Sequence, residues 1–151
     1  MQINLKPIGY VINDVENKKD VSWGKDISKI LLEKDYYGGL SGLNDFSHVT
    51  ILYYLDKAKF DINKHLQRRP QNRNDMPVVG IFSQRGKDRP NQIGMTSVEI
   101  VTVTNDTLIV KGLDAIDGTA ILDIKPYYPI YDCREDAVVP EWVNILMEKY
   151  F

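Results

Sequence analysis

The sequence predicts a mainly β protein: a single closed or nearly closed β-barrel carrying a C-terminal amphipathic helix. Three observations predict it. Short apolar runs rich in β-branched and aromatic residues recur along the chain, Phe46–Leu55 being the longest. Turn signals separate them at Asn105-Asp106 and Asp117-Gly118. At the end, Pro140–Tyr150 shows the i, i+3, i+4, i+7 apolar stripe of a helix and opens on a proline. Many short strands with regular turns favour a barrel, because closure removes unpaired edges.

In order, Leu5–Ile12 reads as the opening strand and the polar run Asn13–Asp20 as a loop. Trp23 and Ile27–Leu32 resume a strand-like pattern, with a short helix as the alternative. Tyr36–Leu43 holds too many glycines for more than one helical turn. Phe46–Leu55 reads as a central strand buried on both faces. Val78–Phe82 has the length of a short buried strand, and a second strand pattern starts at Met95. Thr96–Thr104 pairs with Thr107–Lys111 across Asn105-Asp106. A second hairpin is expected at Asp117-Gly118, flanked by Leu113–Ile116 and Ile121–Lys125. Residues 1–151 make one domain, with the barrel core at 5–130 and the helix at about 140–150. The apolar side of that helix must pack on the barrel or on a partner chain.

Hydrophobic residues make up 43% and charged residues 26%, as in an ordinary soluble globular domain. A formal net charge of -2 excludes a uniformly basic nucleic-acid binder. The one cysteine, Cys133, excludes an internal disulfide and suits a reducing cytosol. Met1–Val11 lacks the apolar core of a signal peptide, and no apolar run approaches the roughly 18 residues of a membrane span. A cytoplasmic protein without membrane contact is therefore expected. His48, His65 and Cys133 have no zinc-ligand spacing, so no metal is expected. Gly80–Lys87 has the wrong spacing for a phosphate-binding P-loop, and Gly38–Gly42 fails the dinucleotide fingerprint.

Charge is uneven along the chain. Between Lys64 and Arg89 the cations Lys64, Arg68, Arg69, Arg73, Arg85, Lys87 and Arg89 face only Asp75 and Asp88. A local basic patch on an acidic protein is the pattern of a polyanion site; a solvated charged surface is the alternative. Arg85 and Arg89 sit in a Gly- and Pro-punctuated loop between two strand patterns, a good place to hold an anion bidentately. Further on, Asp114, Asp117 and Asp123 crowd one segment. Strand periodicity puts Asp114 and Asp117 on opposite faces, which argues against a shared ion. Lys125-Pro126-Tyr127 would carry a positive and an aromatic group to a barrel mouth.

Six motifs in order then resemble one family. They are Pro7–Val11, Gly39–Leu43, Phe46-Ser47-His48, Gly80–Phe82 with Arg85 and Arg89–Gly94, Leu113–Thr119, and Leu122–Tyr127. Together they resemble the TrmO (TsaA-like) family. The resemblance implies a β-barrel methyltransferase using S-adenosyl-L-methionine, a homodimer with the cofactor near the subunit interface. It further implies N-methylation of N6-threonylcarbamoyladenosine beside the tRNA anticodon. Carried over by motif, Asp56, Arg85, Arg89, Pro90, Asn91, Met95, Asp114, Asp117, Gly118, Thr119 and Tyr127 are expected at the cofactor.

Methyl transfer needs alignment and charge stabilisation more than a strong nucleophile. Arg85 is expected to act in catalysis, and Asp117 is the candidate to take the proton from the acceptor nitrogen. Tyr53, Tyr54 and Tyr127 offer aromatic faces for a sulfonium. Lys64, Arg68, Arg69, Arg73, Lys87 and Lys125 are expected to meet RNA phosphates. The sequence departs from the family at Ser83–Asp88, where Ala-Thr-Arg-Ser-Pro is usual, and at Gln92, which replaces a proline. The longer bacterial members carry a further C-terminal domain, expected to help hold tRNA. Two rivals stand beside this reading: a non-catalytic RNA-binding barrel and a methyltransferase acting on a small molecule.

Overall fold

A computed structural model describes residues 1–151. Six antiparallel strands close a barrel: β1 (Gly9–Ile12), β2 (Ile27–Leu32), β3 (His48–Tyr54), β6 (Ile93–Val103), β7 (Thr107–Lys111) and β8 (Ala120–Pro126). A separate two-stranded ribbon pairs β4 (Gln67–Arg68) with β5 (Val79–Gly80). Around the barrel the order is β1-β2-β7-β6-β3-β8, and β8 returns to β1 through Gly9↔Ile121 and Tyr10↔Ala120. The expected β6–β7 hairpin forms across residues 104–106.

Alternate residues of each strand point inward, and together they make the core. Val11, Ile30, Ile51, Leu108, Val110 and Ile121 are each at most 1% exposed. Burying each such side chain contributes about 1.5–3 kcal/mol before entropy is counted. At one end Leu40 and Leu43 close the barrel from a glycine-rich segment flanked by two short 3-10 turns, Lys34–Tyr36 and Leu43–Asp45.

Three expectations about the strands need correction. β3 is buried on one face only: Val49, Ile51 and Tyr53 lie inside, while His48 and Tyr54 are exposed. Double burial needs helices packed outside the sheet, and this barrel has no such layer on β3. Val78–Phe82 does not form a barrel strand. It pairs for two residues and then turns through a 3-10 segment, leaving Val78 58% and Phe82 79% exposed. A closed barrel has no free edge to receive it.

The second hairpin is also absent. The turn at Asp117-Gly118 does form, with Gly118 at φ +76°, a conformation that glycine adopts without strain. Its leading flank, Leu113–Ile116, is not a strand, because β1 and β3 already occupy both edges of β8. Instead Leu113 and Ala115 turn inward and plug the barrel end.

Short helices complete the chain: α1 (Ile62–His65), α2 (Pro129–Asp132) and α3 (Glu141–Met147). Asp61 caps α1 by accepting from the Asn63 N–H at 2.9 Å. The terminal helix is shorter than expected. The segment beyond α3 docks on the barrel instead, with Ser22 N–H donating to the Lys149 carbonyl and Trp23 N–H to that of Tyr150, each at 2.8 Å.

Candidate active site at one mouth of the barrel

Strand register sorts the expected site residues between the two ends of the barrel. One mouth is made by the C-terminal ends of β1, β3 and β7 and the N-terminal ends of β2, β6 and β8. Arg85, Arg89, Pro90, Asn91 and Met95 reach it before or at the start of β6. Asp56 reaches it beyond β3, and Asp114, Asp117, Gly118 and Thr119 reach it between β7 and β8.

Tyr127 and Lys125 are the exceptions. They lie at the opposite end of β8, where the Tyr127 N–H donates to the His48 carbonyl at 3.1 Å. The seven residues of β3 place that end roughly 20 Å away. A single copy of the chain therefore cannot bring Tyr127 to Arg85.

Asp114 is the hub of the first mouth. Its Oδ1 accepts from Tyr53 Oη at 2.8 Å and from Thr96 Oγ1, and its Oδ2 accepts from Tyr150 Oη at 2.6 Å. Burial, with the charge of Asp114 beside it, pushes the Tyr53 phenol well above its ordinary value. The same two causes raise Tyr150. Both phenols therefore stay protonated at neutral pH and act as donors. Tyr53 is only 3% exposed, so its ring is a core element rather than an open face for a sulfonium.

Arg85 is exposed, and its Nη2 donates to the Met95 carbonyl. That contact anchors one nitrogen and leaves the other donors of the guanidinium. Arg89 behaves differently. Its Nη1 turns back to the carbonyls of Gln84 and Gly86, each at 3.2 Å, and so folds its own loop. Asp117 Oδ1 accepts from the Asn13 N–H at 3.0 Å, and its own N–H donates to Val15, so it staples the β1–β2 loop to the mouth. Thr119 Oγ1 closes the turn onto the Ile116 carbonyl at 2.7 Å.

The residues that depart from the family pattern have structural work. Gln84 is buried, and its Nε2 donates to the Arg68 carbonyl at 3.2 Å. Gln92 donates to the Ala58 carbonyl and accepts from Tyr54 Oη at 2.9 Å, tying the end of β3 to the start of β6.

The cations expected at RNA are all engaged within the chain. Arg68 pairs with Asp88 at 3.1 Å and Lys87 pairs with the other oxygen of Asp88 at 2.6 Å. Arg73 meets Asp75 bidentately, Lys125 meets Asp123 at 2.6 Å, and Arg69 donates to the Met76 carbonyl. Lys64 is held most loosely, 3.7 Å from Asp61, with its side chain 76% exposed. Burial works to raise Asp88, but Lys87, the Lys59 N–H and Arg68 outweigh it and hold the carboxyl at about 2.

A groove of about 650 Å³ lies at the opposite mouth, walled by Tyr36, Tyr37, Leu40, Phe46 and Tyr128, with Asp35 and Asp123. It gathers no arginine. No group of three or more His, Cys, Asp or Glu side chains is placed to hold a metal ion.

Sequence reasoning missed Thr96 and Tyr150. Thr96 carries the inward parity of β6, a usable signal. No local pattern links Tyr150 to Asp114, because only the docking of the terminal segment joins them.

Comparison with known proteins places this geometry. The family model of the tRNA-methyltransferase O N-terminal domain matches residues 19–133. An S-adenosyl-L-methionine-binding protein of Archaeoglobus fulgidus is 35% identical over 133 residues, covering 85% of this chain and 92% of that protein. A tRNA (adenine(37)-N6)-methyltransferase of Mus musculus is 39% identical over 100 residues, covering 66% of this chain and 23% of that protein. A crystal structure of TrmO from Pseudomonas aeruginosa superposes with a TM-score of 0.73 at 28% identity, covering 91% of this chain and 62% of that one. This chain thus spans most of the archaeal relative but only a part of the mouse and Pseudomonas proteins.

Proposed function

The chain belongs to the tRNA-methyltransferase O N-terminal domain family, and from that premise we propose that it is an S-adenosyl-L-methionine-dependent methyltransferase. Its proposed acceptor is the N6 nitrogen of a modified adenosine in tRNA, N6-threonylcarbamoyladenosine beside the anticodon. The observation that carries this reading is the meeting of Arg85 and Asp114 at one barrel mouth, a fixed cation and a fixed anion.

The donor set fits the cofactor. Arg85 keeps donors for a carboxylate, and Asp114 keeps acceptor capacity for an ammonium or hydroxyl. When bound, S-adenosyl-L-methionine supplies a methyl group on a positively charged sulfur. Asp114, locked by three hydroxyls, presents a negative charge that needs no reorganisation during the reaction. Arg85 orients its ligand through a guanidinium anchored at Met95. Asp117 is exposed at the same mouth and has an oxygen beyond the one that holds Asn13, so it is the proposed acceptor of the nitrogen's proton.

The reading includes a homodimer in the cytoplasm. Support for the dimer comes from the outer wall of the barrel. There Tyr10 stands opposite Ala120, Ala120 opposite Tyr54, and Tyr54 opposite Ile93, an apolar row across four strands. A second copy packed there covers exposed Tyr10 and Tyr54, and offers a route for its Tyr127 end to approach the Arg85 mouth.

One observation favours a small-molecule acceptor as the second reading. The cations expected to hold RNA are engaged in internal contacts, which thins the electrostatic footprint. The deciding experiment incubates the protein with S-adenosyl-L-methionine and tRNA and analyses the digested nucleosides by mass spectrometry. A methylated N6-threonylcarbamoyladenosine supports the tRNA reading. Calorimetric cofactor binding without RNA methylation leaves the small-molecule reading, and no cofactor binding at all leaves the RNA-binding module.

A further inference from the structure

We infer that Tyr150 is a positioning residue of the cofactor site: its phenol fixes the carboxylate of Asp114 in the orientation that a bound donor group meets. This rests on the reading of the Arg85–Asp114 mouth as the S-adenosyl-L-methionine site. Tyr150 lies outside residues 19–133, the part matched by the family model, so the family pattern assigns it no role.

The geometry argues for more than a loose end lying on a surface. Tyr53 and Thr96 both hold Oδ1 of Asp114, and neither reaches Oδ2. Only Tyr150 does, at 2.6 Å. A carboxylate with one oxygen held swings about that anchor, whereas one with both oxygens held cannot. A carboxylate has about four acceptor positions, so three donors leave roughly one for a ligand, pointing in a set direction.

The segment that carries the phenol is itself braced. Lys149 and Tyr150 accept from the N–H groups of Ser22 and Trp23, and Trp23 is only 3% exposed. Phe151 packs edge-on against the Tyr150 ring, with centroids 4.9 Å apart. A β-carbon on Gly24 would meet the Phe151 backbone at 2.7 Å, so the segment lies close against the loop between β1 and β2. Burial and the charge of Asp114 keep the phenol protonated, which maintains it as a donor.

The test is a double-mutant cycle read by calorimetry with S-adenosyl-L-methionine on the full chain. It uses the unmodified protein, Tyr150→Phe, Asp114→Asn and the double variant, with folding checked by circular dichroism. Tyr150→Phe keeps the ring and removes only the hydroxyl. It is expected to weaken cofactor affinity about tenfold, with KM for the cofactor rising in step. In the Asp114→Asn background the same change is expected to add nothing, because the group it positions has gone.

Unchanged affinity in Tyr150→Phe would make the contact a clasp of the fold alone, and tighter binding would make it a plug; either overturns the inference. Additive losses also overturn it, since Tyr150 would then act without Asp114. If the unmodified protein binds no cofactor, the functional reading and this inference fall together. Binding by the unmodified protein with a silent Tyr150→Phe removes this inference only.

Discussion

The ring of Tyr53 lies against the α-carbon of Gly94, so closely that a β-carbon at position 94 would overlap it. These residues face each other across β3 and β6. Gly94 thus lets the ring lie flat and deliver its hydroxyl to Asp114. Gly94→Ala is expected to destabilise the fold by about 1–3 kcal/mol through overpacking, and to weaken cofactor binding by displacing that hydroxyl. Thermal denaturation and calorimetry on one preparation check both effects. Loss of stability with unaltered binding would disconnect Tyr53 from the site.

Arg85 and Arg89 are expected to separate in their effects, although the sequence presents them as a pair. Arg85 is exposed at the mouth, so Arg85→Lys should leave the melting temperature unchanged and reduce methyl transfer roughly ten- to a hundredfold, about 1.5–3 kcal/mol. Arg89 holds two loop carbonyls, so Arg89→Lys should loosen the loop and lower stability as well. Full turnover in Arg85→Lys would remove Arg85 from the site.

Asp88 predicts an acid transition. Its carboxyl stands at about 2 in the folded protein against an ordinary 3.8, so the unfolded chain binds the proton more readily. The stabilisation is complete above about pH 4 and is lost as pH falls through about 2. Allowing for solvent screening at its partly exposed partners, it amounts to about 1–2 kcal/mol. Urea denaturation at pH 6 and pH 2.5 should show that decline in the unmodified protein. The decline should shrink in Asp88→Asn, which is less stable at pH 6.

The cations divide by what they hold. Arg68 is largely covered and neutralises Asp88, so Arg68→Gln is expected to cost about 1–3 kcal/mol of stability. Lys64 reaches into solvent, so Lys64→Gln should leave stability within about 0.5 kcal/mol. If tRNA is the substrate, Lys64→Gln should lower the salt dependence of RNA binding by about one phosphate contact. Filter binding across a salt series measures this, and an unaltered slope places Lys64 outside the RNA surface.

The apolar row on the outer wall predicts a dimer. Light scattering at micromolar concentration is expected to give twice the chain mass, and Tyr10→Glu, at an exposed position of that row, the mass of one chain. A monomeric unmodified protein would show that the row is not an interface.

Much of the barrel was legible from residue order. Ile27–Leu32 and Thr96–Lys111 carry their period-two pattern and turn chemistry locally, and those strands appear where the pattern puts them. The motifs that place Arg85 and Asp114 at one site were also legible, because each is a contiguous run. Val78–Phe82 and Leu113–Ile116 misled for one shared reason. An apolar run does not state whether an edge is free to pair with it. Without one, Leu113 and Ala115 are buried off the sheet, while Val78 and Phe82 stay exposed and only Ile81 of their run is buried.

The sequence by itself determined a closed or nearly closed β-barrel, a family resemblance, and the contiguous motifs that supply Arg85 and Asp114. The barrel follows from periodicity and turn chemistry, which act over a few residues, whereas the family and the site follow from the resemblance those motifs carry. Only the tertiary structure decided that Tyr127 stands at the far mouth and that Tyr150 reaches Asp114. Those facts depend on barrel register and on the docking of the terminal segment. They join residues far apart in the chain, His48 with Tyr127, Trp23 with Tyr150 and Asp114 with Tyr150, beyond the reach of any local pattern.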